Sequence, residues 1–236
     1  MKNQEEKFKK LKKLEKQGLE LSSVWMFGNR EQGYGSHIFH GNCIPQVVKQ
    51  CVLRYSKKND VVLDSMSGSG TTKDVCKELK RKCLAYDLNP KRNDIKKADA
   101  ANLPVKNKSI SMIFLHLPYL DMVRYSNKKQ DLSNMKLDKF YMKLNNIFLE
   151  SKRVLKNKGH VCVLIGDKIR DGKKIPLCFE TYNILKSHFE YKDYAVKVTQ
   201  NSKSFVNKSR VVLAETSWNN LLKPNHDILF VFQNKK

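Results

Sequence analysis

The sequence has no long apolar run and no paired-cysteine motif. No uninterrupted apolar stretch approaches the roughly 20 residues needed to cross a bilayer, and the N-terminus is too charged for the apolar segment of a secretory leader. A membrane-spanning or secreted chain is therefore not expected. Cys43, Cys51, Cys76, Cys83, Cys162 and Cys178 form no CxxC pair and no zinc-spaced doublet with histidines. This argues against a disulfide scaffold, and no metal site is expected. Cys162, inside Val161-Cys162-Val163-Leu164-Ile165, reads as a small hydrophobe. Reduced thiols of this kind point to a cytoplasmic or nuclear compartment. Acidic residues are scarce, 23 Asp and Glu against 46 Lys and Arg, for a formal net charge of +23. Such a balance favours a polyanionic partner, nucleic acid first; a lysine-biased, solvated surface is the bland reading of the same numbers. No internal repeat or low-complexity tract appears beyond scattered lysine runs.

What is present is alternation. At 236 residues the chain can bury the core of one α/β domain. Residues 1–22 read as a basic extension, either a short amphipathic helix carrying Phe8, Leu11, Leu14, Leu19 and Leu21 or a solvated arm. Residues 23–236 read as a single domain. There, short β-rich runs near 60–64, 82–88, 110–116, 159–167, 191–199 and 227–233 alternate with helical patterns near 43–56, 71–80, 136–156 and 176–188. The expected fold is α/β and Rossmann-like, a mostly parallel sheet of about seven strands. Between the last two strands no helix is evident, and residues 200–226 form a polar, basic loop long enough to be functional.

The sharpest local signal is Asp64-Ser65-Met66-Ser67-Gly68-Ser69-Gly70-Thr71-Thr72, a buried strand entering a Gly-rich turn and then a helix. Gly68 and Gly70 allow conformations and close ligand approach that a Cβ blocks, and the helix opening at Thr71 offers free N–H groups. Such a turn can also exist merely to turn. Asp87 follows 23 residues after Asp64, at the tip of the next strand, the usual position of an acid that binds ribose hydroxyls; before Asn89-Pro90 it is alternatively a turn former. A complete GxGxxG is lacking and no P-loop is present, so a nucleoside without pyrophosphate fits better than NAD. S-adenosylmethionine is such a ligand.

The stretches Phe39-His40-Gly41-Asn42 with Pro45-Gln46, Asp64 to Thr72, Asp87, Ala98-Asp99-Ala100, His116-Leu117-Pro118-Tyr119, Asp131-Leu132-Ser133-Asn134, Arg153-Val154-Leu155-Lys156 and Ile165-Gly166-Asp167 occur in an order that resembles the amino-methylating DNA methyltransferases, which act on adenine N6 or cytosine N4. The likeness spans roughly residues 24–236. It implies a methyltransferase fold with its last strand antiparallel, S-adenosylmethionine as cofactor, and double-stranded DNA as partner, with a homodimer or a partner subunit as further candidates. It also implies a cytoplasmic, nucleoid-associated protein, or a nuclear one in a eukaryote. Carried over residue by residue, it implies a cofactor site of Asn42, Pro45, Asp64, Met66, Ser67, Gly68, Gly70, Thr71, Thr72, Asp87, Leu88, Asp99 and Ala100. Asn42 and Pro45 read equally well as an N-cap and first-turn pair of the helix at 43–56.

The family's catalytic tetrapeptide is Asp, Asn or Ser, then Pro-Pro and an aromatic. It accepts hydrogen bonds from the target amine while the aromatic stacks on an extruded base. The resemblance places it on His116, Leu117, Pro118 and Tyr119. His116 offers one acceptor nitrogen when neutral, so activity is expected to fall in acid; Leu117 gives up a proline's fixed φ. Asp121, Arg124, Tyr125 and Ser126 line the base pocket by the same likeness, or are merely solvated. Loops 120–135 and 200–226 are the expected DNA contacts, with Trp218 to stack or wedge, Arg210 to read guanine and Lys203 on phosphate. An RNA base methyltransferase and a catalytically impaired DNA-binding homologue are the alternative readings, the latter because of Leu117.

Overall fold

The computed structural model describes residues 2–36, 41–199 and 220–235. Helix α1 (Lys2–Lys16) precedes strand β1 (Val24–Trp25). Then come α2 (Pro45–Tyr55), β2 (Val61–Asp64), α3 (Thr71–Glu78), β3 (Lys82–Asp87), β4 (Lys96–Lys97) and β5 (Ile110–His116). After two 3-10 turns, Leu120–Met122 and Leu132–Asn134, follow α4 (Leu137–Val154), β6 (Leu155–Ile165), the hairpin β7 (Lys168–Arg170) and β8 (Lys173–Ile175), α5 (Leu177–His188), β9 (Glu190–Val198) and β10 (His226–Gln233).

Eight strands form one sheet in the order β1-β9-β10-β6-β5-β2-β3-β4. All neighbours are parallel except β10, which runs antiparallel to both β6 and β9. The central strands are apolar where both faces are covered, as at Met112–Leu115 of β5 and Val161–Ile165 of β6. Met112 and Phe114 of β5 pack with Val47, Val48 and Cys51 of α2 and Val75 of α3. Their alternating neighbours Ile113 and Leu115 pack with Phe140, Leu144 and Phe148 of α4 and Leu185 of α5. All six cysteines are free, and all but Cys83 are buried. Among the described residues no helix is long and apolar enough to cross a membrane.

The fold is the expected α/β, Rossmann-like sheet, with eight strands rather than seven. The additional strand β1 lies parallel to β9 through Val24↔Val196 and Trp25↔Lys197. Two-residue strands such as β1 and the Lys-Lys strand β4 carry no period for a sequence reading to detect, and the hairpin β7–β8 is too short and polar to stand out. Strand β6 starts at Leu155, where the chain turns extended (φ −77°, ψ 130°), so α4 stops at Val154 and not near 156. Strand order reverses at β2, flanked by β3 on one side and β5 on the other. The crevice at the carboxyl ends of β2 and β5 is where ligands bind in such sheets.

Candidate functional site

That crevice holds an open cleft. The turn after β2 supplies its floor. Asp64 is buried; its Oδ1 accepts the Met66 N–H at 3.0 Å, while the Ser67 hydroxyl donates to the Asp64 carbonyl at 2.9 Å. Gly68, at φ +50°, donates its N–H to Asp87 Oδ2 at 2.8 Å, and Asn89 N–H reaches Asp87 Oδ1 at 2.8 Å. The acid at the tip of β3 is thereby locked to the turn of β2, each oxygen keeping a spare lone pair. Two observations fit a ligand here. A Cβ on Gly68 would meet nothing within 4 Å, and the buried Ser65 Oγ, part of the lining, has no hydrogen-bond partner.

Gly70 takes the backbone conformation expected of a glycine at this turn. At φ +89° it caps α3, and a Cβ would lie 2.4 Å from Arg92 Nη1. Arg92 pairs with Asp74 at 2.8 and 3.0 Å and donates to the Ser69 carbonyl at 3.1 Å. The glycine seats this clamp and is not among the lining residues. Above it, Gly35 N–H donates to Asp74 Oδ2 at 2.8 Å, and a Cβ on Gly35 would fall 2.6 Å from Ser69 Oγ. Residues 30–36 therefore close against the outside of the turn.

Asp99 pairs with Lys143 of α4 at 2.6 Å and accepts the Ala101 N–H at 2.9 Å. Asn42 donates to the Ser36 carbonyl at 2.6 Å and lines the cleft; the N-cap of α2 is Ile44, with the buried Pro45 following it and outside the lining. His116 reaches the cleft from the end of β5, as does Pro118. The cleft thus joins Asn42, Asp64, Met66, Ser67, Gly68, Thr71, Thr72, Asp87, Leu88, Asp99 and Ala100 to His116, Pro118 and Tyr125.

Leu117, Tyr119, Asp121, Arg124 and Ser126 are elsewhere. Leu117 is buried in the core with its N–H on the Leu164 carbonyl at 3.1 Å. Tyr119 turns its hydroxyl to Asp227 of β10 at 2.7 Å, with Leu120 behind it in the left-handed region (φ +55°). Asp121 is gripped by Lys168 and Arg170 of the hairpin β7–β8, and Arg124 is exposed. Ser126 donates to Asp131 Oδ2 at 2.7 Å. Asp131 organises the loop after β5 by also accepting from Ser133 N–H and hydroxyl at 2.9 and 2.7 Å, and Lys128 ties that loop to the Leu88 carbonyl. Lys203, Arg210 and Trp218, and Phe39 and His40 of the quoted stretch, lie outside the described residues.

The sequence reading missed Lys143, Phe114 and Gln130 in the lining. Lys143 sits one residue before the buried Leu144 of α4 and resembles any helix-surface lysine; only the packing of α4 against the sheet brings it to Asp99. Phe114 had a usable signal, since it lies two residues before His116 on the same face of the strand.

The electrostatics are selective. Among the described residues, Asp64, Asp87, Asp99 and Asp131 face the cleft with Lys143 as the one lining cation, in a chain that is strongly basic overall. Such a cleft repels polyphosphates and favours a cationic, hydroxyl-bearing ligand. Burial raises the Asp64 carboxyl to about 7, opposed by hydrogen bonds from Thr72, Met66 and Ser67. Burial lowers His116 from 6.5 to about 4, with Asp227 opposing and Lys197 assisting, so its imidazole is neutral at physiological pH.

Residues 1–98 match the model of a family described as DNA methylase, N6_N4_Mtase. Comparison with curated proteins returns no match. Among solved structures, a SAM-dependent methyltransferase from Methanosarcina mazei aligns with TM-score 0.51 and 12% identity over 78% of this chain and 96% of that one. TrmN from Thermus thermophilus aligns at TM-score 0.51 and 15% identity, over 81% of this chain and 49% of that one. The [4+2]-cyclase SpnF aligns at 0.53 and 12%, over 88% and 89%. At these identities the likeness concerns the fold, which evidently hosts more than one chemistry; function has to be argued from the site.

Proposed function

We propose, from the premise that residues 1–98 carry the signature of the N6/N4 DNA methylases, that this chain uses S-adenosylmethionine to methylate the exocyclic amine of adenine or cytosine in DNA. The observation that carries this reading is the shared cleft. It places a Gly-rich, carboxylate-lined turn and a neutral histidine at the end of β5 around one space.

The residues fit the cofactor. Asp87 has lone pairs for ribose hydroxyls, Ser65 has a free hydroxyl, and Gly68 leaves room for close approach. Asp99 and Ala100, which line the same cleft, would hold the adenine, and Asp64 is the buried acid of the turn. When bound, the cofactor supplies an electrophilic methyl on a sulfonium. The chain's part is to hold the amine in line: neutral His116 accepts one N–H, and the main-chain carbonyl of Pro118, the other tetrapeptide residue lining the cleft, would be a further acceptor as positive charge develops on nitrogen. Neither step requires a covalent intermediate. Tyr125, which lines the cleft where Tyr119 does not, would be an aromatic to stack on an extruded base.

The direct test is transfer of tritiated methyl to duplex DNA and to RNA, followed by digestion to nucleosides and mass identification of the product. Label in N6-methyladenine or N4-methylcytosine of DNA supports the reading. Label in RNA alone, or cofactor binding with no transfer to either, overturns it.

Cofactor binding is expected to depend on pH through Asp64. A cationic ligand favours the ionised carboxylate, whose value is about 7 when no ligand is bound. Affinity for S-adenosylmethionine should therefore weaken about tenfold from pH 8 to pH 6, with protons released on binding at pH 7, and Asp64→Asn should abolish both effects in calorimetry. In the unliganded protein the sign reverses. The group is protonated in the fold but ionised in the unfolded chain between about 4 and 7, so stability declines as pH rises across that window.

A further inference from the structure

The Tyr119 hydroxyl sits between two partners, 2.7 Å from Asp227 Oδ1 and 3.2 Å from His116 Nε2. Asp227 Oδ2 in turn accepts from Lys197 Nζ at 2.8 Å. The ion pair is built by the sheet: Asp227 and Lys197 are direct cross-strand partners on the antiparallel β10 and β9, and both side chains are largely buried. Gly166, at the end of β6, makes room for the arrangement. A Cβ there would lie 2.7 Å from Asp227 Oδ1 and 2.9 Å from Tyr119 Cε2.

A phenol has one proton. Burial together with Asp227 raises Tyr119 well above its ordinary value, so the hydroxyl stays protonated, and the Lys197-paired carboxylate can only accept that proton's hydrogen bond. Toward His116 the phenol oxygen then has only a lone pair to offer, so Nε2 must be the ring's N–H donor. We propose that Lys197, Asp227 and Tyr119 form a relay that fixes His116 in the Nε2–H tautomer, leaving Nδ1 as the ring's only acceptor. Asp227 and Tyr119 are thus positioning residues. The proposal rests on the functional reading above for its purpose but not for its geometry. It gives Tyr119 a role other than base stacking, and it explains why the tetrapeptide tolerates a histidine: a residue with interchangeable donor and acceptor atoms is held in the acceptor form.

The charged and titratable groups around the ring are Asp227 and Lys197, with Cys43 and Cys178 near Tyr119. None of them sits on the tetrapeptide itself.

The test is ¹⁵N spectroscopy of the histidine rings in the full chain, with His116 assigned by its absence in His116→Gln. Wild type should show His116 as the neutral Nε2–H tautomer from pH 8 down to pH 5. Tyr119→Phe should convert it to a mixture of tautomers, as should Gly166→Ala, whose Cβ would press on both the Asp227 carboxylate and the Tyr119 ring and push them apart. Asp227→Asn should lower kcat on the order of ten- to a hundredfold, as for other partners that orient an imidazole, while KM for the cofactor changes less than about twofold. A wild-type Nδ1–H tautomer overturns the relay, as does a spectrum that Tyr119→Phe leaves unmoved in a folded protein. Because the tautomer is read without turnover, a failure of methyl transfer on every nucleic acid would sink the functional reading and leave this one standing.

Discussion

His116→Ala should cut the rate of methyl transfer by a factor on the order of 10² to 10⁴ while leaving cofactor affinity within about twofold of wild type. The reasoning is differential. On the proposed reaction the imidazole at the end of β5 meets the amine, whereas the Gly-rich turn, Asp87 and Asp99 form the rest of the cleft without it. The pH profile should split in the same way. Burial pushes His116 down to about 4, so kcat should hold from pH 8 to near 5 and collapse only below that, as the ring protonates and repels the incipient ammonium. The specificity constant for the cofactor should already decline below about 7, following Asp64. An ordinary, solvated histidine would instead give a kcat inflection near 6.5, and that result, or an alanine variant with undiminished kcat, would remove His116 from the mechanism.

That separation of two acid limbs was not legible in the sequence, although its components were. The strand-turn-helix at Asp64 to Thr72 and the acid at Asp87 were readable because glycine spacing and a buried apolar run are local properties. So was His116 at a strand end, since β5 is apolar from Met112 through Leu115. An acid limb for activity followed from imidazole chemistry alone; its displacement toward 4 requires burial, which is tertiary. Tyr119 shows the limit most clearly. Its place in the tetrapeptide reads as a stacking residue, yet its hydroxyl is claimed by Asp227, 108 residues away, through a strand pairing that no local pattern records. Lys143 on Asp99 is the same kind of case, 44 residues apart.

The charge of the chain also divides in a way composition cannot express. An overall +23 argues for a polyanion, yet four aspartates face the cleft. On the proposed reaction the two are complementary. Basic outer surfaces suit phosphate, and among the described residues the hairpin β7–β8 carries Lys168, Arg170, Lys173 and Lys174 just past the carboxyl end of β6. The acidic cleft suits a sulfonium and an ammonium and keeps backbone phosphate out, so that only a base enters.

Leu117→Pro, which puts at the tetrapeptide's second position the proline found in the N6/N4 DNA methylases, should damage this protein and not improve it. From sequence alone the leucine reads as a loss of rigidity. In the fold it is a core residue, 1% exposed, packed in the cluster that includes Leu115 and Phe140. Its N–H also extends the β5–β6 ladder by one bond to the Leu164 carbonyl. Proline removes that donor, leaves the buried carbonyl short of its partner and fills the site incompletely, a combined cost of about 3 kcal/mol or more. Denaturant titration should therefore show a large loss of stability with Leu117→Pro and a smaller one with Leu117→Ile, which keeps both volume and donor, and neither variant should transfer methyl groups faster than wild type. A stable proline variant with raised kcat would mean that Leu117 impairs the site, and that the strand end is held by something other than this bond and this side chain.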